Sequence, residues 1–204
     1  MKQQGYNVLF LDIGGVLLSN GWGKESRLNA AQRFGLEFEE MNERHNLIFN
    51  LFETGKISLD EYLETAVFNR PRNFSMAEFK DFMFKQSKEL PDFLPWLYKW
   101  KKTSGLRIIS IHNEGKELND YRVNKFGLTD CFDAFISSCE TGMSKPNRGI
   151  YELALAVAYT PPENCLYFDD TLVHIEAASK MGIKAFHHQS FEETKKILEE
   201  ASSI

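Results

Sequence analysis

The stretch Asn7-Val8-Leu9-Phe10-Leu11-Asp12-Ile13-Gly14-Gly15 decides the fold of this chain. It is a short, continuous apolar run that ends at an aspartate, and two glycines follow shortly after. A strand that is buried on both faces and then enters a tight turn has this pattern, because neither of its faces meets water. We therefore predict a first strand over residues 7–11, inside a parallel sheet.

Four later runs have the same apolar character and are separated by segments with helical periodicity. The predicted strands are Arg107–Ile111, Ala134–Ser138, Cys165–Phe168 and Lys184–His187. The predicted helices between them are Lys116–Phe126, Ile150–Ala158 and Leu172–Met181. Strands that alternate with helices indicate a parallel sheet with right-handed crossovers. The fold class that follows is α/β, with a doubly wound parallel sheet.

The segment from residue 21 to residue 95 interrupts this alternation, because it carries only helical signals. Two of them are capping boxes, Ser58-Leu59-Asp60-Glu61 and Ser75-Met76-Ala77-Glu78. Helices are expected at about 26–34, 38–53, 58–68 and 75–87. The sequence thus predicts an α/β core domain over 1–20 and 96–204, with an inserted helical bundle over 21–95 that forms a small cap.

Composition narrows the class of protein. The chain has 204 residues, 43% hydrophobic residues and a net charge of −5, which suits one substantial core with a small appended domain. The sequence has no basic run of the kind that binds a phosphate backbone, so we expect no nucleic acid partner. No apolar stretch approaches the ~20 residues of a membrane span, and the apolar start has no cleavage site, so we expect a cytoplasmic protein without a membrane partner. The three cysteines lack a CxxC spacing, and buried reduced thiols are expected.

Polar residues follow each of the first four predicted strands. They are Asp12, then His112-Asn113, then Ser144-Lys145-Pro146, and finally Asp169-Asp170. Each has an ordinary explanation on its own, as a helix cap, a loop or a turn. Ligands of open parallel sheets, however, bind beyond the carboxyl ends of the strands, so these side chains are expected to converge. Three carboxylates in one crevice form an oxygen-ligand site that suits Mg²⁺, with a lysine to balance the remaining negative charge.

The order and spacing of these segments resemble the haloacid dehalogenase superfamily over nearly the whole chain. The segment 9–17 is similar to the family's first motif, and His112-Asn113 falls where the family usually has Ser or Thr followed by Asn. The segment 142–147 looks like its lysine motif, and the segment 166–171 matches its acidic motif. The resemblance implies a Rossmann-like core, and the helical insert after the first motif is similar to the cap of the family's first subclass.

The resemblance also implies a mechanism. Asp12 would attack phosphorus and form an aspartyl-phosphate, which water then hydrolyses. Lys145 would bridge the nucleophile and the phosphate, while Asn113 would donate hydrogen bonds to the phosphoryl oxygens. The implied substrate is a small phosphorylated metabolite.

The resemblance further implies a bound Mg²⁺ ion. Its ligands would be Asp12, one or both of Asp169 and Asp170, and the backbone carbonyl of Gly14. Which of the two adjacent aspartates binds the ion directly stays open at this point.

Two positions depart from the family pattern. Gly14 stands where most phosphatases of the family have a second Asp that acts as general acid and base. Losing such a group costs about 10²–10⁴ in rate, and the loss matters least for leaving groups that need no proton, such as aryl and acyl phosphates. His112 replaces a small hydroxyl residue, and it either contacts the substrate, supplies the missing proton function, or is a tolerated replacement.

Other interpretations remain open at the level of sequence. A dehalogenase would use the same nucleophile on carbon without a metal, although two spare carboxylates at Asp169-Asp170 disfavour it. A phospho-ligand-binding protein with little or no turnover would explain both departures. Residues 19–22, at the hinge into the cap, are expected either to touch the substrate or only to form a turn. His174, His187 and His188 are expected at surface or cap positions. Both a monomer and a homodimer are compatible with the sequence.

Overall fold

The protein is described by a computed structural model over residues 5–202, whose centre is one five-stranded parallel sheet. The strands are β1 (Val8–Leu11), β2 (Arg107–His112), β3 (Ala134–Ser137), β4 (Cys165–Asp169) and β5 (Lys184–His187). Their order across the sheet is β3-β2-β1-β4-β5, and every neighbouring pair is parallel. This confirms the doubly wound α/β prediction. Strand order reverses beside β1, so the switch point of the sheet lies at the strand that ends before Asp12.

Helices cover the sheet and form the insertion between β1 and β2. They are α1 (Lys24–Phe34), α2 (Phe38–Glu53), α3 (Leu59–Ala66), α4 (Met76–Lys85), α5 (Phe93–Ser104), α6 (Lys116–Lys125), α7 (Ser138–Thr141), α8 (Arg148–Ala158), α9 (Leu172–Lys180) and α10 (Phe191–Ser202). Short 3-10 turns occupy Leu128–Asp130 and Pro162–Asn164. None of the helices within residues 5–202 combines the length and the apolar character needed to cross a membrane.

Successive side chains of β1 enter two different apolar cores. Val8 and Phe10 pack in the core that α8 covers, whereas Leu9 and Leu11 pack in the core that α5 and α10 cover. All four side chains are fully buried. Because both faces of the sheet are covered, the strand is apolar throughout rather than alternating with polar residues.

The helices α1–α4 form a helical insertion, defined here as residues 24–85, with an apolar core of its own. Its largest fully buried side chains are Phe52, Tyr62 and Phe79. Both predicted capping boxes are present, at Ser58 and Ser75.

The predicted boundary at residue 95 falls inside a helix that belongs to the sheet. Helix α5 begins at Phe93, and Phe93 and Leu94 lie in the same core as Leu9. Pro95 suggests a break between segments, but it occupies the first turn of α5. A proline is tolerated there because the backbone N–H groups of the first turn have no partner within the helix. The helical insertion therefore ends before α5.

The end of α2 is docked against the carboxyl ends of β2 and β3. Ser138 Oγ donates a hydrogen bond of 2.6 Å to the carbonyl oxygen of Glu53, and it accepts one of 3.0 Å from the backbone N–H of Glu114. Gly55 has a φ of +67°, and a Cβ there would collide with the carbonyl group of Cys139. A side chain at residue 55 would thus separate the helical insertion from the sheet domain.

Candidate active site

A cavity of about 310 Å³ lies between the carboxyl ends of the strands and the helical insertion. It is lined by Asp12, Gly14, Asn20, Trp22, Gly23, Arg27, His45, Phe49, Glu53, Asn113, Glu114, Arg122, Lys145, Asp170, Thr171 and His174. The cavity thus brings together residues that follow β1, β2 and β4, as the parallel topology predicts. Its volume suits a small molecule.

Asp12 lies at the floor of this cavity, directly after β1, and is 7% exposed. Its backbone N–H donates to the carbonyl oxygen of Phe168 in the neighbouring strand, at 3.0 Å. Its Oδ1 accepts a hydrogen bond from the N–H of Ile13 at 2.7 Å, and its Oδ2 lies 3.0 Å from Nζ of Lys145. Burial raises the pKa of Asp12 to about 7, although the positive charge of Lys145 opposes the rise.

Asp169, the last residue of β4, holds Lys145 in place. Its Oδ2 lies 2.5 Å from Lys145 Nζ and also accepts a hydrogen bond from the Tyr167 hydroxyl. Its Oδ1 accepts from the N–H of Thr171 at 2.8 Å and lies 3.0 Å from Nδ1 of His174. Burial raises the pKa of Asp169, but the charge of Lys145 and the contact with His174 outweigh it and lower the pKa overall. Both oxygens of this fully buried carboxylate are therefore occupied.

Asp170 faces the cavity, in contrast to Asp169. Its Oδ1 accepts a hydrogen bond of 3.2 Å from Thr171 Oγ1, and its Oδ2 lies over Gly15. A Cβ at residue 15 would collide with this oxygen, and the φ of +73° also favours glycine there. Gly15 therefore gives Asp170 room to approach Asp12.

The carboxylates of Asp12, Asp169 and Asp170 offer oxygens that all lie within 4.8 Å of one another. Three such groups repel one another when ionised, and Lys145 supplies only one positive charge. Hard oxygen donors at the edge of a cavity fit Mg²⁺. Gly14, whose backbone carbonyl is predicted to bind the metal, also lines the cavity.

The side-chain amide of Asn113 makes two hydrogen bonds to the backbone of Lys145. The N–H of Lys145 donates to Asn113 Oδ1 at 2.8 Å, and Asn113 Nδ2 donates to the carbonyl oxygen of Lys145 at 3.0 Å. Both residues line the cavity. This reciprocal pair ties the loop before α8 to the end of β2, so the lysine side chain enters the site from a rigid support.

His112 lies outside the cavity, and the interpretation that it contacts substrate or supplies the missing proton function has no structural support. The ring is 3% exposed, with Nε2 2.7 Å from Asn119 Oδ1 and Nδ1 3.1 Å from Ser110 Oγ. Because an amide oxygen only accepts, Nε2 donates and Nδ1 accepts. Burial lowers the pKa of His112 to about 3, so the ring is neutral. As the last residue of β2, it points toward α6, whereas Asn113 faces the site.

The expectation that all three later histidines occupy surface or cap positions is wrong for His174 and His188. His174 lies in the first turn of α9, directly after β4, and this places its ring on Asp169. His188 is buried with its Nδ1 2.8 Å from Thr194 Oγ1.

Polar side chains surround Gly14, the position at which most phosphatases of the resembled family have their second Asp. A Cβ at residue 14 would lie 3.2 Å from Asn20 Oδ1 and 3.8 Å from Arg122 Nη1. Arg122 in turn forms a buried ion pair of 2.5 Å with Glu114 and donates to the carbonyl oxygen of Ser19 at 2.7 Å. The hinge residue Asn20 and an arginine from α6 thus occupy the edge of the space beside Gly14.

The hinge residue Trp22 and the helical insertion form part of the cavity wall. The sequence left open whether Trp22 touches the substrate, and it did not indicate the lining residues of the insertion. Trp22 Nε1 donates to the hydroxyl of Tyr62 at 2.7 Å, and this hydroxyl lies 2.8 Å from Nδ1 of His45. Because an indole N–H only donates, the single hydroxyl proton goes to Nδ1, and His45 carries its own proton on Nε2. Burial lowers the pKa of His45 to about 3. The wall therefore combines aromatic rings with a neutral histidine.

The comparisons with known proteins agree with this architecture. A family model described as haloacid dehalogenase-like hydrolase matches residues 6–182. The enzyme BT-2542 of the haloacid dehalogenase family from Bacteroides thetaiotaomicron has a similar structure, with a TM-score of 0.82 and 18% identity over 95% of this chain and 98% of that one. Its complex with magnesium and inorganic phosphate gives a TM-score of 0.77 and 21% identity, over 91% and 95% of the two chains.

Two further structures show how widely the fold is shared. A haloacid dehalogenase-family phosphatase from Thermococcus onnurineus has a TM-score of 0.66 and 17% identity, over 94% of this chain and 97% of that chain. A dehalogenase has a TM-score of 0.70 and 16% identity, over 97% and 98%. At these identities the likeness concerns the fold alone. The match of the family model over most of the chain shows that the protein belongs to the haloacid dehalogenase-like hydrolase family.

Proposed function

We propose that this protein is a Mg²⁺-dependent phosphatase that hydrolyses a small phosphorylated metabolite through an aspartyl-phosphate on Asp12. The observation that carries the proposal is the arrangement at the cavity floor. Lys145 Nζ lies 3.0 Å from Asp12 and 2.5 Å from Asp169, and one carboxylate oxygen from each of Asp12, Asp169 and Asp170 lies within 4.8 Å of the other two. This arrangement supports the roles proposed for Asp12 as nucleophile, for Lys145 as its cation and for the carboxylates as metal ligands.

Asp12 is oriented for attack by its fixed contacts. The N–H of Ile13 holds Oδ1, and Lys145 holds Oδ2 at the cavity floor. Covalent attack by the carboxylate divides a hard displacement into two easier ones. Lys145 lies where it can neutralise charge on the phosphoryl oxygens, and the remaining amide proton of Asn113 is available to donate to the same group.

Asp12, Asp170 and the Gly14 carbonyl would hold Mg²⁺, because these residues line the cavity, whereas Asp169 is fully buried beneath it and binds Lys145, Thr171 and His174. The bound ion would supply positive charge that screens the carboxylates from the incoming phosphate and orients it. Asp169 then acts by positioning Lys145. The magnesium and phosphate bound by BT-2542 support this proposal by analogy of fold.

The helical insertion is proposed to serve as the cap that selects the substrate. Together with the hinge residue Trp22, it lines the cavity with Arg27, His45, Phe49 and Glu53. The cavity volume of about 310 Å³ limits the size of the leaving group. Aromatic surfaces beside a neutral histidine, an arginine and a carboxyl group suit a small organic group with polar substituents.

Dehalogenation is the weaker alternative for this site. It would use Asp12 on carbon and needs no metal, but Asp170 is a second cavity-facing carboxylate that forms no ion pair within residues 5–202. An anionic haloacid would be repelled by it. A metal that binds the carboxylates removes this conflict and favours phosphate chemistry.

The proposal is tested by release of p-nitrophenolate from p-nitrophenyl phosphate with and without Mg²⁺. We expect turnover that requires Mg²⁺ and is abolished by Asp12→Asn, while Asp120→Asn on the exposed face of α6 leaves it unchanged. Activity that survives chelation or Asp12→Asn would contradict the proposal. Chloride release from a haloacid in the presence of chelator would favour the dehalogenase instead.

A further inference from the structure

Glu53, the last residue of α2, is a partly buried carboxyl group that lines the cavity together with Asp12. The charge of Lys145, which contacts Asp12, acts on it. Within residues 5–202, the Glu53 carboxyl group makes no hydrogen bond or ion pair. A carboxyl group without a partner in a reaction cavity is free to exchange a proton.

The backbone of Glu53 is fixed even though its side chain is free. Its carbonyl oxygen accepts the 2.6 Å hydrogen bond from Ser138 Oγ, at the carboxyl end of the sheet. Two residues later, Gly55 is in contact with the carbonyl group of Cys139. The helical insertion therefore delivers this side chain to the cavity from a rigid attachment, as an acid–base group requires.

Burial raises the pKa of Glu53 to about 7, repulsion by Glu114 adds to the rise, and Lys145 opposes it. Near neutral pH both the protonated and the ionised forms are then populated, which suits a group that gives a proton and later takes one. The other charged or titratable groups that line the cavity are Asp12, Arg27, His45, Arg122, Asp170 and His174.

Neighbouring side chains are less suited to this role. Glu114 already accepts a hydrogen bond from Arg122 at one carboxyl oxygen and one of 3.2 Å from the N–H of Gly115 at the other. Asn20, which borders Gly14, has no titratable proton. Glu53 is the cavity-lining glutamate of the described chain whose carboxyl group is not engaged.

On the basis of the phosphatase function proposed above, we propose that Glu53 is the general acid and base of the reaction, in place of the aspartate that Gly14 lacks. In the first step Asp12 forms a bond to phosphorus, the bond from phosphorus to the ester oxygen breaks, and the Glu53 proton moves to that oxygen. In the second step ionised Glu53 takes a proton from water, whose oxygen bonds to phosphorus while the bond to Asp12 breaks. Alcohol and inorganic phosphate leave, and Glu53 is protonated again.

Pre-steady-state kinetics of Glu53→Gln test this role, with Glu43→Gln on the exposed part of α2 as the matched control. A nitrophenolate leaving group needs no proton, but hydrolysis of the aspartyl-phosphate needs a base. We expect Glu53→Gln to release about one equivalent of nitrophenolate in a fast burst and then to turn over roughly 10²-fold more slowly than wild type. Glycerol 2-phosphate, whose leaving group needs a proton, should show no burst and a loss at least as large.

Three results would overturn the proposal in distinguishable ways. Wild-type rates for Glu53→Gln on both substrates would remove Glu53 from the reaction and leave the phosphatase function intact. Equal slowing of the burst and of steady turnover would assign it a structural role. A wild-type protein without Asp12-dependent nitrophenolate release would refute the phosphatase function, and the role of Glu53 with it.

Discussion

Lys145 Nζ lies 3.0 Å from Oδ2 of Asp12, and the two side chains are among the most deeply buried charged groups that line the cavity. The lysine is 4% exposed and the aspartate 7%. A buried carboxylate of this kind is stable only while a positive charge remains near it. The first prediction follows from this dependence.

Lys145→Met should leave the buried carboxylates without their cation. We expect the free energy of unfolding to fall by about 3–5 kcal/mol at neutral pH, and turnover to fall roughly 10²–10³-fold. Lys116→Met is the control, because its ion pairs with Asp120 and Glu140 are largely exposed and are worth under about 1 kcal/mol. Equal stability of the two variants in urea unfolding would contradict the assigned role of Lys145.

Asp169 and Asp170 are adjacent in sequence but are predicted to differ in function. Because Asp170 faces the cavity, Asp170→Asn should remove most of the increase in melting temperature that Mg²⁺ produces in the wild-type protein. Asp169→Asn should keep a larger share of that increase while lowering activity through a displaced Lys145. A thermal titration with MgCl₂ measures both effects, and the reverse order would exchange the two assignments.

Glu53→Gln should make the protein more stable at alkaline pH while making it a poorer catalyst. The pKa of Glu53 is raised to about 7 by burial, so between pH 4.5 and 7 the folded state keeps a proton that the unfolded chain releases. The free energy of unfolding therefore falls as pH rises through this window. At pH 8 the amide avoids this loss, and we expect a gain of about 2 kcal/mol over wild type.

The same comparison at pH 4.5 should show little difference, because the wild-type carboxyl group is then protonated in the folded state. Urea unfolding at the two pH values gives the result, with Glu43→Gln as the control. A gain of equal size at both pH values would mean that the shifted pKa is not its cause.

Gly14→Asp should partly restore a Glu53→Gln enzyme. The backbone at Gly14 does not require glycine, and a side chain there would point toward Asn20 and Arg122. The new carboxylate would be ionised at neutral pH and would face the cavity, so it is available to take a proton from water. We expect turnover of the double variant to rise at least about tenfold above Glu53→Gln, measured with p-nitrophenyl phosphate. Gly14→Asn, which has the same shape without a titratable group, should give no such rise.

Much of the sheet and of the cavity floor could be predicted from the sequence, for a physical reason. Strands buried on both faces leave apolar runs such as 7–11, and parallel topology brings the residues after those runs to one edge. Asp12, Asn113, Lys145 and Asp170 were found in this way and do line one cavity. The same reasoning does not show which of the last side chains of β2 points into the cavity. His112 was therefore expected at the site, although its ring faces α6.

The part of the cavity wall that the helical insertion forms was not predicted, because the same apolar spacing is expected for residues of a bundle core and for residues that line a cavity. Phe49 lies in a helix whose apolar residues have the spacing of a bundle core, and nothing local shows that it also borders a cavity created by docking. Trp22 was considered only as a hinge residue that either reaches the substrate or forms a turn. Glu53 ends a helix, where an acidic residue ordinarily faces solvent. Its position depends on contacts with Ser138 that lie 85 residues away in the chain. Such contacts leave no periodic signal.

The most direct test of the central claim is the mass of the Asp12 peptide after acid quenching during turnover of p-nitrophenyl phosphate with Mg²⁺. The account predicts one added phosphoryl group on the fragment that contains Asp12, more abundant in Glu53→Gln than in wild type and absent in Asp12→Asn. Turnover without a phosphoryl group on that fragment, or with the group on another residue, would contradict it.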